Sequence, residues 1–471
     1  MKKVLPVVLS MLFLTAGMAA ADGASWLQIG GDYRFRYDSL RGTVHDYMQT
    51  DPTNPSNPPT PQQGYPVKNG SLLLNRFGLN LRAEALEDIT VKARLVMYKV
   101  WGQETPNAAL GNFFADRFGG TNDGTVGHVP QDNTLRVDYA YATVSNLFGA
   151  PAWFSIGRRP STGGIPGNIR ENAEKTGTAG IPNILVDYAF DGATLGYAPY
   201  VEALPGFYTK LCYGRGFDTG FQAPGATLNN TDFYGINMAL IDTENTHIEL
   251  QYQKGVNIFD RPSDGINIIV PVPGGGGATT TENLPVSTNL GDIDWIGGVV
   301  MDKLGELNLF FSAAQSKTDP NGQLSGGQTG LLFNAGSPAE RQTGFAVYLG
   351  GRYDFKSSGT KIGAEYNYGS RYWVGMVPAG DDIWTSKLGT RGSVYEVYLI
   401  QELNRKPISK KGKAFVRLGY QYYKFDYTGS NNWVGAPVKI SDLSTTNPAT
   451  QQMLAPLKDA KDLYLTFDVL F

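Results

Sequence analysis

The chain has 471 residues, with 40 Lys and Arg against 43 Asp and Glu for a net charge of −3, a balance that does not point to nucleic acid. Mean hydropathy is −0.24, and after the N-terminal segment no apolar run of about eighteen residues occurs, which excludes a helical membrane protein. The single cysteine, Cys212, excludes an internal disulfide and covalent c-type haem, which needs C-x-x-C-H.

Lys2 and Lys3 precede an apolar run from Val4 to Gly17, then Ala19-Ala20-Ala21 before Asp22. A positive start, a short apolar stretch and an A-x-A site have the form of a secretory signal. Residues 1–21 are therefore expected to be cleaved, leaving 22–471 as one unit without an interdomain linker.

That unit divides into amphipathic runs at 27–37, 73–84, 89–100, 134–145, 152–159, 186–199, 206–214, 232–242, 246–256, 291–301, 304–316, 343–355, 360–370, 392–403, 413–426 and 461–471. Roughly ten residues is the length of a tilted membrane-crossing strand. Short connections alternate throughout with long ones, at about 38–72, 101–133, 160–185, 215–231, 257–290, 317–342, 371–391 and 427–460. The expected fold is all-β: one antiparallel transmembrane barrel of about sixteen strands, within a range of fourteen to eighteen. Brief turns would face the periplasm and extended loops the exterior. Asp191-Gly192, inside Ile184 to Tyr200, has the form of a hairpin turn. Reading that stretch as one strand keeps the count even and both termini on one side.

Period-two alternation assigns the faces. Leu27, Ile29, Tyr33, Phe35 and Tyr37 oppose Asp32, Arg34 and Arg36. Phe77, Leu79, Leu81 and Ala83 oppose Arg76, Asn80, Arg82 and Glu84. Lys92 and Arg94 oppose Val91, Ala93 and Leu95, and Arg136 and Asp138 oppose Leu135, Val137, Tyr139 and Tyr141. An Arg facing lipid at mid-membrane costs roughly 2–4 kcal/mol, so Arg34, Arg36, Arg76, Arg82, Lys92, Arg94 and Arg136 are expected on the wall of a lumen. A polar lumen on sixteen strands is expected to be water-filled, because a barrel that wide cannot be filled by its own side chains. Seven bases against three acids make this wall cationic, favouring anions. Alternatively they pair with carboxylates elsewhere, such as Glu249, Asp294, Glu306 or Glu365.

The third long connection carries Arg158, Arg159, Arg170, Glu171, Glu174 and Lys175 among glycines. It is expected either to fold inward as a constriction or to remain a solvated external loop. Two other connections have loop composition: Asp51 to Pro66 with six prolines, and Gly274 to Gly277. Thr121-Asn122-Asp123-Gly124 and Gly380-Asp381-Asp382 offer oxygens for calcium without full ligand spacing, and read as exposed turns. No metal and no cofactor is expected. Cys212 alternates with Lys210 and is placed on the lumen side. Tyr37, Trp101, Trp153, Tyr213 and Trp433 are candidates for interfacial girdles.

The chain closes on Leu463-Tyr464-Leu465-Thr466-Phe467-Asp468-Val469-Leu470-Phe471, which resembles the final strand of outer-membrane barrels. In those barrels such a terminus, here Phe467, Val469 and Phe471, forms the assembly signal. Gly157-Arg158-Arg159-Pro160-Ser161-Thr162, with Met97-Tyr98-Lys99-Val100-Trp101-Gly102, Asn133-Thr134-Leu135-Arg136-Val137-Asp138 and Phe190-Asp191-Gly192-Ala193-Thr194-Leu195-Gly196-Tyr197, extends the likeness. The chain resembles a domain-of-unknown-function family of outer-membrane porins found in metal- and sulfate-reducing bacteria. The resemblance implies location and channel class and names no substrate. It also raises a second expectation, a barrel sheathing a multihaem cytochrome as an electron conduit.

Enzymatic chemistry finds little support. His45, His128 and His247 are scattered, and neither G-x-S-x-G nor H-E-x-x-H occurs. The expectation is a passive diffusion channel in the cell outer membrane for small hydrophilic solutes, leaning weakly to anions. The alternatives are the conduit subunit and a non-conducting adhesin or structural barrel. Expected partners are outer-membrane lipid and the assembly machinery, with a homotrimer and multihaem cytochromes as further candidates.

Overall fold

The computed structural model describes residues 26–50, 57–103, 130, 132–159, 163–175, 177–222, 224, 227–260, 266–271, 279–284, 287–409 and 412–471. The expected signal at 1–21, His128, the Thr121–Gly124 motif and Gly274 to Gly277 lie outside these residues.

Sixteen strands close into one antiparallel barrel. In chain order they are β1 Leu27–Val44, β2 Pro66–Leu86, β3 Ile89–Val100, β4 Arg136–Val144, β5 Ala152–Arg159 and β6 Phe190–Tyr197. They continue as β7 Tyr208–Phe217, β8 Thr231–Asp242, β9 His247–Phe259, β10 Asn289–Leu304 and β11 Leu307–Pro320. The last five are β12 Thr343–Phe355, β13 Thr360–Gly369, β14 Gly392–Glu402, β15 Lys413–Phe425 and β16 Leu457–Leu470. Each strand pairs with the next, and β16 closes on β1 with Arg34 opposite Asp468 and Phe35 opposite Phe467. Closure pairs every strand on both sides, leaving no open edge. Gly31 N donates to Phe471 O at 2.8 Å, and Phe471 N donates back at 3.0 Å. A Cβ on Gly31 would stand 2.6 Å from the Phe471 ring and 2.5 Å from Gly78 O, so glycine is what lets the terminal aromatic lie across β1.

Each run read from the sequence forms a strand, the stretch around Asp191-Gly192 included, with local differences elsewhere. Asp191 and Gly192 sit inside β6, opposite Arg158 and Gly157, so no hairpin forms there. The apolar stretch Ile184-Leu185-Val186, partly assigned to that strand, is instead buried in the loop before it. In β4 a register shift against Arg94 and Leu95 marks a bulge, and a bulge reverses which face later residues take. Tyr139 and Tyr141, expected outside, therefore turn inward, where Tyr139 reaches Asn80 at 3.4 Å. Two short ladders, Tyr47–Gln49 with Thr60–Gln62 and Ile266–Pro271 with Thr279–Leu284, lie within long connections.

The outward positions are apolar around the circumference. Ile156 is 55% exposed, Ile296 58% and Val397 55%, alternating with buried residues on their strands. A soluble protein does not display so continuous an apolar belt, whereas hydrocarbon solvates it. On β16, Leu463, Leu465 and Phe467 face out while Asp462, Thr466 and Asp468 are buried. Leu465→Arg is expected to cost about 2–4 kcal/mol in urea titration of the detergent-folded barrel; a neutral result would place this face away from lipid.

Candidate functional site: the loop-filled interior

Alternation aims Arg34, Arg36 and Asp38 of β1 inward, all three buried. There they meet two long connections that enter the barrel. One follows β5 and includes a short turn of helix at Gly167–Arg170; the other joins β13 to β14. These are called the first and second inward loops.

Asp381 of the second inward loop ties β1 to its neighbours. It pairs with Arg34, lies 3.6 Å from Arg76 and 3.9 Å from Arg36, and accepts from Tyr98 OH at 3.0 Å. Arg34 also pairs with Asp468 of β16 and reaches Glu171 of the first inward loop at 2.6 Å. Arg417 of β15 holds the other Glu171 oxygen at 2.9 Å. Arg36 binds Asp38 at 2.6 Å and Asp462 at 3.1 Å. Burial alone would raise the Asp381 carboxyl, but Arg34, Arg76 and Arg36 together hold it well below the carboxylate range. Glu171 is likewise pushed up by burial and brought far down by Arg34, Arg417 and Arg170.

A second centre forms around Glu396 of β14. Lys387 reaches it at 2.7 Å, Arg170 at 3.1 Å, Gln421 at 3.1 Å and Tyr464 OH at 2.6 Å. Lys387 also bonds Glu365, and Asp382 accepts from Arg170 and Gln421 at 2.9 Å each. Gly380-Asp381-Asp382 is thus a buried, ion-paired segment and not the exposed turn expected. Its carboxylates are buried because guanidinium groups, not water, solvate them.

The first inward loop leaves the barrel wall at Arg159 and continues to the opposite, turn-bearing end. Asn172 accepts from Lys361 at 2.7 Å and donates to Glu402 at 3.1 Å, while its carbonyl accepts from Lys413 at 3.0 Å. Lys175 donates to Asp242 at 2.6 Å and to the Thr243 carbonyl at 2.7 Å. These partners flank the short turns after β8, β12 and β14. The constriction candidates therefore separate. Arg170, Glu171 and Lys175 are moored inside, Glu174 is exposed, Arg159 lies on the inward face of β5, and Arg158 shares the phase of outward Phe154 and Ile156.

Apolar side chains complete the filling. Trp295, Trp373, Trp384 and Trp433 are four of the seven tryptophans, and all are buried. Trp373 donates to Leu388 O at 2.7 Å, Trp384 to Lys461 O at 2.9 Å and Trp433 to Phe259 O at 2.8 Å. Arg391 clamps the second inward loop to the connection after β15 through the carbonyls of Trp373, Thr428, Gly429 and Asn432. Trp433 is therefore not a girdle residue, and Trp153 faces in against Tyr208 with ring centroids 6.5 Å apart. Trp101 and Tyr213 are exposed, and Tyr37 is half-buried. The expectation of a water-filled lumen is corrected on the β12–β16 side. The barrel's own side chains do fill it there, because the inward loops add theirs to those of the strands.

Filling is uneven. Glu365, Glu396, Arg417 and Asp462 are buried, whereas the Arg82 and Glu84 side chains, 3.0 Å apart, are 45% and 44% exposed. Arg76 is one-quarter exposed, and Arg94 pairs with Asp32 at 2.6 Å and Asp138 at 3.3 Å. Lys92 shares this inward face, and Arg136 pairs with Asp132 at 3.2 Å. Of the other acids considered, Glu249 and Glu365 face inward. Asp294 bonds Tyr252 on the outer surface at 2.5 Å, and Glu306 pairs with Lys356 in a turn. Cys212 faces inward beside Thr194 at 3.4 Å. His45 contacts the Asp46 carbonyl at 2.9 Å, and His247 lies between Asp242 at 2.9 Å and Glu249 at 2.8 Å.

Sequence reasoning misread Asp381 and Asp382 as an exposed turn and missed Lys387, because nothing local marks a loop as inward. It also passed over Glu396, Arg417 and Asp462, although each occupies a polar alternate position in an assigned run, as Asp468 does.

No curated protein sequence matches the chain. Its fold is similar to Pseudomonas putida OprB at high pH, at 11% identity and TM-score 0.45 over 97% of each chain. It is similar to an anion-selective porin from Comamonas acidovorans, at 11% identity and TM-score 0.43 over 94% of this chain and 99% of that one. Salmonella typhi OmpF in complex with daunomycin aligns at 10% identity and TM-score 0.43, over 94% and 97%. The strand count comes from this chain's own hydrogen-bond ladder. The family model described as protein of unknown function (DUF3373) matches residues 66–471, from the start of β2 to the C-terminus, and the chain belongs to that family.

Proposed function

We propose that this barrel sits in the outer membrane and passes small hydrophilic solutes along the part of its interior that the loops leave wet, with a weak preference for anions. The carrying observation is the asymmetry of the interior. The β12–β16 wall is sealed by the two inward loops, while the β2–β3 wall keeps Arg76, Arg82, Lys92 and Arg94 beside accessible space. Asp32, Glu84 and Asp138 pair with these cations and offset most of their charge, which keeps the preference weak. In a narrow path with low-dielectric surroundings, the residual positive charge lowers the barrier for anions. The apolar belt supports the membrane setting. On this reading residues 1–21 are a cleaved signal, Phe467, Val469 and Phe471 serve assembly, and the short turns face the periplasm.

Passive permeation needs no catalytic group. His247 has both ring nitrogens on carboxylates, which leaves it no hydroxyl to activate. A cytochrome sheath would need the volume that the inward loops occupy, so the conduit reading would require both to leave. The packed interior does favour one rival, a non-conducting structural barrel or adhesin.

Planar-bilayer recording in a potassium chloride gradient separates the readings. The wild type is expected to show a small conductance with a reversal potential of anionic sign, and Arg82→Glu should move it toward the cationic side. Clear cation preference in the wild type would sink the anion assignment. Absence of any conductance would leave the structural barrel.

A further inference from the structure

We propose that Arg159 and Lys210 form a binding site for a small monovalent inorganic anion of the chloride class, in a partly open cavity between the first inward loop and the β5–β9 wall. A cavity of about 70 Å³ lies there, lined by Arg159, Thr194, Lys210, Gln251 and Gln253 among apolar residues such as Phe190 and Phe233. Lys210 is buried, and its ammonium donates to the carbonyls of Thr178 and Gly180, at 3.0 and 2.5 Å. Arg159 donates one nitrogen to Ser155 Oγ and rests over the Tyr141 ring, 5.4 Å from its centroid. Its Nε is buried and donates to nothing. Among the described residues neither cation forms an ion pair with a carboxylate, unlike Arg34, Arg36, Arg76, Arg94, Arg170 and Arg417.

The contrast identifies the missing charge. Two like charges beside one cavity repel each other, and apolar walls weaken the dielectric screening of that repulsion. Glu249 is the acid acting on Lys210, but its oxygens already accept from Asn237 and contact His247. Cys212 and Thr194 also line the cavity. An anion in the cavity would lie beside both cations and offset their charges through charge-assisted contacts. The cavity volume and apolar walls suit a halide or nitrate rather than a phosphorylated organic solute. A divalent anion would suffer a far larger desolvation loss.

The site rests on the proposed channel only in that anions must be able to reach the interior, and its test needs no conduction. Chloride-35 NMR of the purified barrel in detergent reads bound chloride as excess linewidth over a detergent blank. Excess broadening is expected for the wild type, competed away by nitrate, reduced to the blank in Arg159→Gln and retained in Arg159→Lys. Arg341→Gln, at an exposed pair with Asp319, should keep the wild-type linewidth. Heat-modifiable gel migration shows which variants are folded; Lys210→Met provides a second neutral variant with the same expected loss. No excess broadening in the wild type overturns the proposal, as does broadening that survives in folded Arg159→Gln and Lys210→Met. Bound chloride in a barrel that does not conduct would refute the channel and keep the site. Conduction with no bound chloride would do the reverse.

Discussion

Removing residues 163–175 is expected to raise single-channel conductance several-fold. That segment carries Arg170, Glu171, Asn172 and Lys175, whose bonds run to β1, to β13–β15 and to the turn after β8. It is therefore a strut across the interior rather than a flap at one mouth. Resistance depends on the narrowest cross-section, so clearing the strut should act more strongly than any change of wall charge. The deletion also strips partners from Arg34 and Arg417, which lowers stability. Glu171→Gln is the milder companion: it keeps shape and some hydrogen bonding while removing the charge, and should raise conductance less and increase open-channel noise. Unchanged conductance in the folded deletion would show that this segment does not limit the permeation path.

Asp381→Ala carries the second large effect. The Asp381 carboxylate is shared among Arg34, Arg36, Arg76 and Arg417 and receives Tyr98 OH. Removing one partner of a buried ionic cluster strands the remaining charges and costs about 3–5 kcal/mol. Denaturant unfolding of the refolded barrel would measure that loss, and Asp381→Asn should lose less because it can still accept from Tyr98. The acid dependence follows from the depressed carboxyls of Asp381 and Glu171. A group with a lowered folded pKa contributes its full stability above its unfolded value, about 4 for carboxylates, and loses it as pH falls through the folded value. These two moorings should therefore hold from neutral pH to about 4 and release in stronger acid, seen as a rise in conductance that Asp381→Ala already shows at neutral pH.

The inward loops also explain why some residues were readable and others were not. Arg34, Glu396, Arg417 and Asp468 each sit between apolar neighbours in a run of period two, and that local pattern specifies a face. Tyr139 and Tyr141 defeated it because one bulge in β4 shifts the phase, and a bulge is set by the partner strand. Trp433 looked like a girdle residue because an aromatic in a long connection has no periodic neighbours to say which way it turns. Asp381 and Asp382 looked like a turn because Gly-Asp-Asp is turn chemistry wherever the backbone goes.

From residue order alone came the sixteen crossings, their apolar outer face, the alternation of brief and extended connections, and the inward direction of most charged strand residues. Each is a property of neighbours a few positions apart, where side-chain alternation and turn composition act. The tertiary structure alone decided what occupies the interior. Arg34 meets Asp381 across 347 positions and Arg170 meets Glu396 across 226, pairings that exist only after the barrel has closed and brought opposite walls together. A loop takes the inward course when the wall it reaches supplies countercharges and apolar contacts for all that it buries.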